Sequence, residues 1–284
     1  MPRMGYGTLM NKHHIDTLEL LSCAPNQVRP NSPPLLFLHG AYTAAWCWQE
    51  NFLPFFAAAG FHSHALSFSG HGASRRRDHL DSYSIDDYVS DVEEAIDRLP
   101  VAPVLIGHSM GGFVVQKYLE RHAAPAAVLM CAVPPQGLAA SAFGMLFNRP
   151  SLFSDLNRLM SGGQVAIESL HDALFAQPVS HEDLARYYRL AQPESHRAIW
   201  DMMLFNLPHT GRALEHLPAG RDDLLVLGAE LDTIMPVSLV EMTARSYGVT
   251  ATLYPGMGHG LMLERDWQKV AQDIIDWLER RIPA

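Results

Sequence analysis

The feature that most constrains the fold is a set of short, unbroken apolar runs, each closed by glycine or proline or by a return to polar residues. "PPLLFLHG" (33–40), "APVLIG" (102–107), "AAVLMCAV" (126–133) and "DLLVLGAE" (223–230) show no alternation of polar and apolar residues. A strand with one solvated face alternates with a period of two, so runs that are apolar throughout belong to strands buried on both faces. Helical patterns separate them. "IDDYVSDVEEAIDRLP" carries Ile85, Val89, Val92 and Ile96 at helical spacing, with Ser84 and Asp87 set as a capping arrangement at its start. "WQENFLPFFAAAG" (48–60) reads as a helix closed by Gly60 and bent or divided by Pro54. "FHSHALSF" (61–68) reads as a strand, and "MGGFVVQKYLERH" as the helix after the second apolar run. Strands thus alternate with helices through residue 133, which predicts parallel βαβ units with right-handed crossovers.

From about 136 to 212 the alternation stops and no strand pattern is present. It resumes with the run at 223–230, a helix near 237–247, the strand "ATLYPG" (251–256) and an amphipathic helix from about 266 to 281. The expectation is an α/β fold with a mostly parallel sheet flanked by helices. Residues 1–135 and 213–284 would form its core domain, and 136–212 a helical insertion. A long insertion in one connection is more often functional than decorative, typically a lid or cap over a site.

Composition narrows the function classes. The 284 residues are 48% hydrophobic and 18% charged, a globular profile with enough chain for a sizeable core. A net charge of -9 argues against a nucleic-acid partner, and the one basic run, "SRRRDH" (74–79), reads as a solvated loop. Cys23, Cys47 and Cys131 have no paired spacing, which fits a reducing compartment. The start lacks a signal-peptide apolar region, and no run reaches the roughly 20 residues of a membrane span, so the expected location is cytoplasmic. The histidines are scattered without HExxH or CxxC arrangements, so no metal and no cofactor is expected. The sequence leaves a homodimer open.

Residues 105–114, "LIGHSMGGFV", place Ser109 between Gly107 and Gly111, matching G-x-S-x-G between a predicted strand and a predicted helix. Such a turn strains the serine backbone and exposes its hydroxyl, while the Met110 N–H at the helix start faces developing negative charge. A serine needs a base, and His259 in "YPGMGHGLMLE" follows the last predicted strand. The base needs an orienting acid. Asp232 in "VLGAELDTIMP" is preferred over Glu230 because it lies further past the strand end. A second oxyanion donor is expected in "FLHGAYTAAWCW", where Gly40 permits close approach and Ala41 N–H is the candidate.

With these four segments in this order, the chain resembles the α/β-hydrolase superfamily, over essentially its whole length apart from the insertion, which sits where caps of that family sit. The resemblance implies an α/β-hydrolase fold, a Ser109–Asp232–His259 triad and an oxyanion hole of Ala41 and Met110. "HGAYTAAWCW" also resembles the oxyanion region of plant methylesterase and hydroxynitrile-lyase relatives. "SFSGHGAS" resembles the family's D-x-R-G-H-G-x-S loop, but Ser67 and Ser69 replace its acidic and basic residues, which weakens any transfer of substrate from those relatives.

The candidate substrate contacts are Gly40, Tyr42, His108, Phe143, Trp200 and Leu261. His108 and His39 also read as structural histidines, packed under the turn and bonded to neighbouring loops. The insertion's large apolar residues, Phe143, Met202 and Trp200 among them, read either as an acyl pocket or as the insertion's own core. The expected partner is a small-molecule ester with a hydrophobic acyl group, hydrolysed with loss of activity as His259 protonates. Carbon–carbon hydrolysis, lyase chemistry, acyl transfer or a receptor with negligible turnover are the alternatives on the same triad.

Overall fold

The computed structural model describes residues 10–281 except 16–17, 76, 140–141, 143–149, 152–153, 156–157, 159–162 and 164. The buried apolar runs become adjacent parallel strands. These are β3 (Leu35–Leu38), β4 (Ser63–Ser67), β5 (Val104–His108), β6 (Ala127–Met130), β7 (Leu224–Ala229) and β8 (Ala251–Tyr254). Every residue of β3, β5 and β6 is buried, as strands covered on both faces require.

Two further strands, β1 (Met10–Ile15) and β2 (Leu18–Cys23), pair antiparallel with each other, and β2 pairs antiparallel with β4. The sheet order is β1-β2-β4-β3-β5-β6-β7-β8. This antiparallel edge was not expected from the sequence, because "MNKHHI" is polar and carries no strand signal. Register then sets the site: Leu38 lies opposite Gly107 and His108 opposite Met130, so the C-terminal ends of β3, β5 and β6 finish side by side.

The single helix expected over 48–60 is two, α1 (Trp46–Gln49) and α2 (Phe52–Ala58), separated where Asn51 leaves helical geometry at φ -133°. Pro54 does not cause the break. It sits in the first turn of α2, where a missing N–H has no intrahelical partner to lose. Phe37 of β3 meets Trp48, Phe52 and Phe56 with ring centroids 5.0, 6.1 and 5.3 Å away, which anchors these short helices to the sheet. Removing one such buried ring typically costs about 3–5 kcal/mol.

Helix α3 (Ile85–Ile96) begins with the capping box its sequence suggested: Ser84 Oγ accepts from Asp87 N, and Asp87 accepts from Ser84 N. Arg75 departs from the solvated reading of its basic run, because it bridges Asp91 and Glu94 of α3. After β5 comes α4 (Met110–Tyr118), buried at every position between the sheet and its neighbours.

Between β6 and β7 the described residues form α5 (Ile167–Leu174), α6 (His181–Leu190), α7 (His196–Trp200), a π-turn over Asp201–Phe205 and α8 (Thr210–Glu215). No strand occurs among the described residues of this stretch. Helix α9 (Val237–Tyr247), closed by Gly248 in left-handed geometry, and α10 (Trp267–Arg281) flank the last two strands. Among the described residues no helix is long and apolar enough to cross a membrane.

Candidate active site

Ser109 occupies the turn between β5 and α4 with φ 52° and ψ -115°. A residue with a β-carbon held there stores strain of about 1–3 kcal/mol. The surroundings hold it: Ser109 N–H donates to Met130 O at 3.0 Å, and its carbonyl accepts from Phe113 and Val133 N–H groups, both at 3.2 Å. The flanking glycines are required by contact. A β-carbon on Gly107 would stand 2.4 Å from Gly111 O, and one on Gly112 would stand 2.4 Å from the Ala132 β-carbon. The glycines therefore close the turn onto the sheet, and Ser109 projects beyond it.

His259 lies in the loop after β8 and Asp232 in the loop after β7. His259 donates from Nδ1 to Asp232 Oδ2 at 2.7 Å, and both residues are buried. Asp232 Oδ1 accepts from the backbone N–H groups of Ile234 and Met235 at 2.8 and 2.7 Å, so the carboxylate is held at both oxygens. With Nδ1 protonated toward Asp232, Nε2 of the neutral ring carries the lone pair of a base. Glu230, the rival acid, is exposed and accepts instead from Gly256 N–H.

Ser109 and His259 open onto one cavity of ≈ 540 Å³ above the C-terminal strand ends. Gly40, Ala41, Tyr42, His108, Met110 and Trp200 also line it, so most of the residues picked out in the sequence converge there. Gly40 packs tightly against the elbow: a β-carbon there would lie 2.9 Å from His108 Nδ1 and 3.1 Å from the Ser109 β-carbon. Leu261 does not join them. It is fully buried in the main core and is not among the residues that line the cavity. Phe143 lies outside the described residues.

Two buried histidines keep the loops in register. Burial, then the nearby His259, holds the His108 imidazole well below the usual histidine range, and its Nε2 donates to the His259 carbonyl at 2.9 Å. Burial, then the neighbouring His71, does the same for His39. His39 Nε2 accepts from Phe68 N–H at 3.1 Å and Nδ1 donates to Gly40 O at 2.8 Å, which stitches β3's loop to β4's.

Several residues around the site had no signal in the sequence. Glu264 is fully buried, accepts from Gly258 N–H at 2.9 Å and Ala176 N–H at 2.6 Å, and ties the His259 loop to the end of α5. Burial pushes its carboxyl above the usual range. Gln192 and Glu194, between α6 and α7, dock the insertion on the core. Gln192 N–H donates to Tyr42 O at 3.0 Å, and Glu194 accepts from His71 Nε2 at 3.0 Å and Tyr88 OH at 2.7 Å. Ser67 and Ser69, the departures from the family loop, are also engaged. Ser67 Oγ accepts from Ala45 N–H and donates to Glu19, while Ser69 donates from both N and Oγ to Asp91.

A strained serine at a strand–helix elbow, with a histidine–aspartate pair on later strand ends, is the arrangement of one large family, and the profile described as "Alpha/beta hydrolase family" matches residues 35–273. The chain is an α/β-hydrolase. Relatives of this α/β-hydrolase include a non-heme chloroperoxidase of Burkholderia pyrrocinia, 27% identical over 82% of this chain and 87% of the relative. A monoacylglycerol lipase of Mycolicibacterium smegmatis is also 27% identical, over 78% and 80% of the two chains. Among solved structures, an esterase from Exiguobacterium antarcticum superposes with TM-score 0.66 at 18% identity, covering 96% of this chain and 99% of the other. A bromoperoxidase from Bacillus anthracis gives 0.65 at 17% identity, with the same coverage. These structural likenesses establish the hydrolase fold.

Proposed function

We propose that this α/β-hydrolase cleaves carboxylic esters through an acyl-enzyme on Ser109. The observation that carries the proposal is the 2.7 Å bond from His259 Nδ1 to Asp232, with His259 and Ser109 opening onto one cavity. His259 Nε2 takes the Ser109 proton as Oγ attacks the ester carbonyl, and Asp232 holds the tautomer and stabilises the imidazolium that forms. The Ala41 and Met110 amides stabilise the oxyanion, each worth about 3–4 kcal/mol in the transition state. His259 then protonates the leaving alcohol and activates the water that cleaves the acyl-enzyme.

The cavity's chemistry narrows the substrate. Leu138, Leu170, Ile199, Met202, Met203 and Ile234 contribute to its walls, and no Lys, Arg, Asp or Glu is among the described lining residues. An uncharged, largely apolar ester suits such walls, because a charged group entering them would lose hydration without gaining a partner. The helices between β6 and β7 serve as a cap that supplies part of these walls. Relatives carrying lipase and esterase names support the ester reading.

A p-nitrophenyl ester series of increasing acyl length, assayed with native protein and Ser109→Ala, tests the proposal. Turnover that peaks at one chain length and disappears in the variant supports it. Folded native protein that hydrolyses no member of the series contradicts it.

A further inference from the structure

Beside the catalytic cavity lies a second hollow of ≈ 560 Å³, with Leu21, Glu50, Ala73, Arg186 and Leu190 in its walls. Ala73 and Leu190 are exposed, so the hollow reaches the surface. Among the described residues, only Trp46 lines both the hollow and the catalytic cavity. Elsewhere α6 keeps the two apart. Helical spacing puts Arg186 and Leu190 on one stripe, which lines the hollow, while Tyr187 and the adjoining Ala191 line the cavity.

The partition is aromatic and braced. Trp46 stacks on Tyr187, with ring centroids 5.6 Å apart and planes 23° from parallel. Arg186 lies over the same Tyr187 ring at 4.9 Å and pairs with Glu50 at the end of α1. The backbone beneath the indole is fixed independently. Ala45 N–H donates to Ser67 Oγ at 3.0 Å, and Cys47 and Trp48 are buried in the main core. The indole N–H is buried and bonds nothing among the described residues, so packing alone places the ring.

We propose that Trp46 is a specificity-determining end wall of the catalytic cavity. Its indole sets the longest straight acyl chain the site holds, and the hollow beyond is the space a longer chain would enter. This inference deepens the ester-hydrolase reading and rests on it. Because α1 is pinned at its backbone, truncating the ring joins the two spaces instead of letting the wall close. Leu21 and Leu190 then offer the entering chain apolar contact.

Two measurements test the proposal, and the first needs no turnover. Straight-chain primary alcohols of increasing length are titrated into each protein by calorimetry. Affinity should rise about fourfold per added methylene until the cavity is full. The plateau should come at a longer chain in Trp46→Ala than in native protein, with the milder truncation Trp46→Leu extending it less. Trp46→Phe keeps a ring on Tyr187 and loses no hydrogen bond, and should keep the native plateau. In the second measurement, kcat/KM for the p-nitrophenyl ester two carbons past the native peak should rise about tenfold in Trp46→Ala. Adding Leu190→Trp, which fills the hollow from its exposed side, should return both limits to their native values. Equal plateaus in native protein and both truncations overturn the proposal, and so does a double variant that keeps the longer limit. Folded native protein that hydrolyses no ester contradicts the acyl-enzyme reading, while the alcohol plateaus still decide what Trp46 does.

Discussion

Gly111 lies so close to Leu38 that a β-carbon on the glycine would stand 2.3 Å from the Leu38 carbonyl oxygen. The contact joins the first turn of α4 to the end of β3, and it is what lets the elbow sit on the sheet. Backbone cannot retreat there without breaking the β3–β5 register. Gly111→Ala should therefore lose about 3 kcal/mol or more of stability, measured by urea unfolding. Gly211→Ala is the contrast: nothing lies within 4 Å of its β-carbon position, and it sits in α8. That substitution should stabilise the protein by up to about 1 kcal/mol.

The two candidate acids separate by substitution. Asp232→Asn keeps the shape of the carboxylate but lets His259 adopt the wrong tautomer, and kcat should fall by about 10⁴ on an activated ester. Glu230→Gln, at an exposed position, should leave kcat within about twofold of native, as remote surface changes do. Comparable losses in both variants would remove Asp232 from its proposed role.

Stability should decline on acidification for a reason written into His39 and His108. Both have their pKa held well below the usual value by burial, so the unfolded chain binds a proton that the folded chain refuses. Below about pH 6.5 the unfolded state therefore carries more protons, and stability falls with falling pH until the depressed native values are reached. Each group contributes a slope of up to about 1.4 kcal/mol per pH unit in that window. Urea melts from pH 7.5 downward should show this slope. His39→Gln, which can still bond from its side-chain amide, should show a shallower one.

A buried polar cluster helps hold the helices between β6 and β7, alongside more exposed contacts such as His196 with Asp81 and Arg186 with Glu50. Glu194 and His71 are both fully buried and 3.0 Å apart, with Tyr88 completing the carboxylate. Glu194→Ala leaves His71 and the Tyr88 hydroxyl without their partner, and should cost about 3–5 kcal/mol. Because Gln192 beside it bonds the Tyr42 carbonyl in the loop after β3, which lines the cavity, kcat should fall together with the melting temperature. Unchanged stability in this variant would show that the cluster does not anchor the insertion.

The central strands were legible because strands covered on both faces must be apolar at every position, and β3, β5 and β6 are written that way. The elbow and its glycines were legible because a strained turn admits few residue types. The antiparallel edge was not, since β1 is polar and takes its strand conformation from pairing with β2. The break between α1 and α2 was misplaced because Pro54 looked like the disruptive residue while sitting where a helix tolerates it. Glu264 and Glu194 escaped for another reason. Their partners lie far away in sequence, as with Glu194 and His71, 123 residues apart, and a single side chain gives no local sign of such pairing.

The most direct test of the account is a rapid-quench experiment with p-nitrophenyl butyrate at high protein concentration. The expected result is a burst of nitrophenolate approaching one equivalent, with a butyryl mass increment on the peptide that carries Ser109. Burst and adduct should both be absent in His259→Ala. Steady turnover with no adduct, or an adduct on any other residue, would contradict an acyl-enzyme at Ser109.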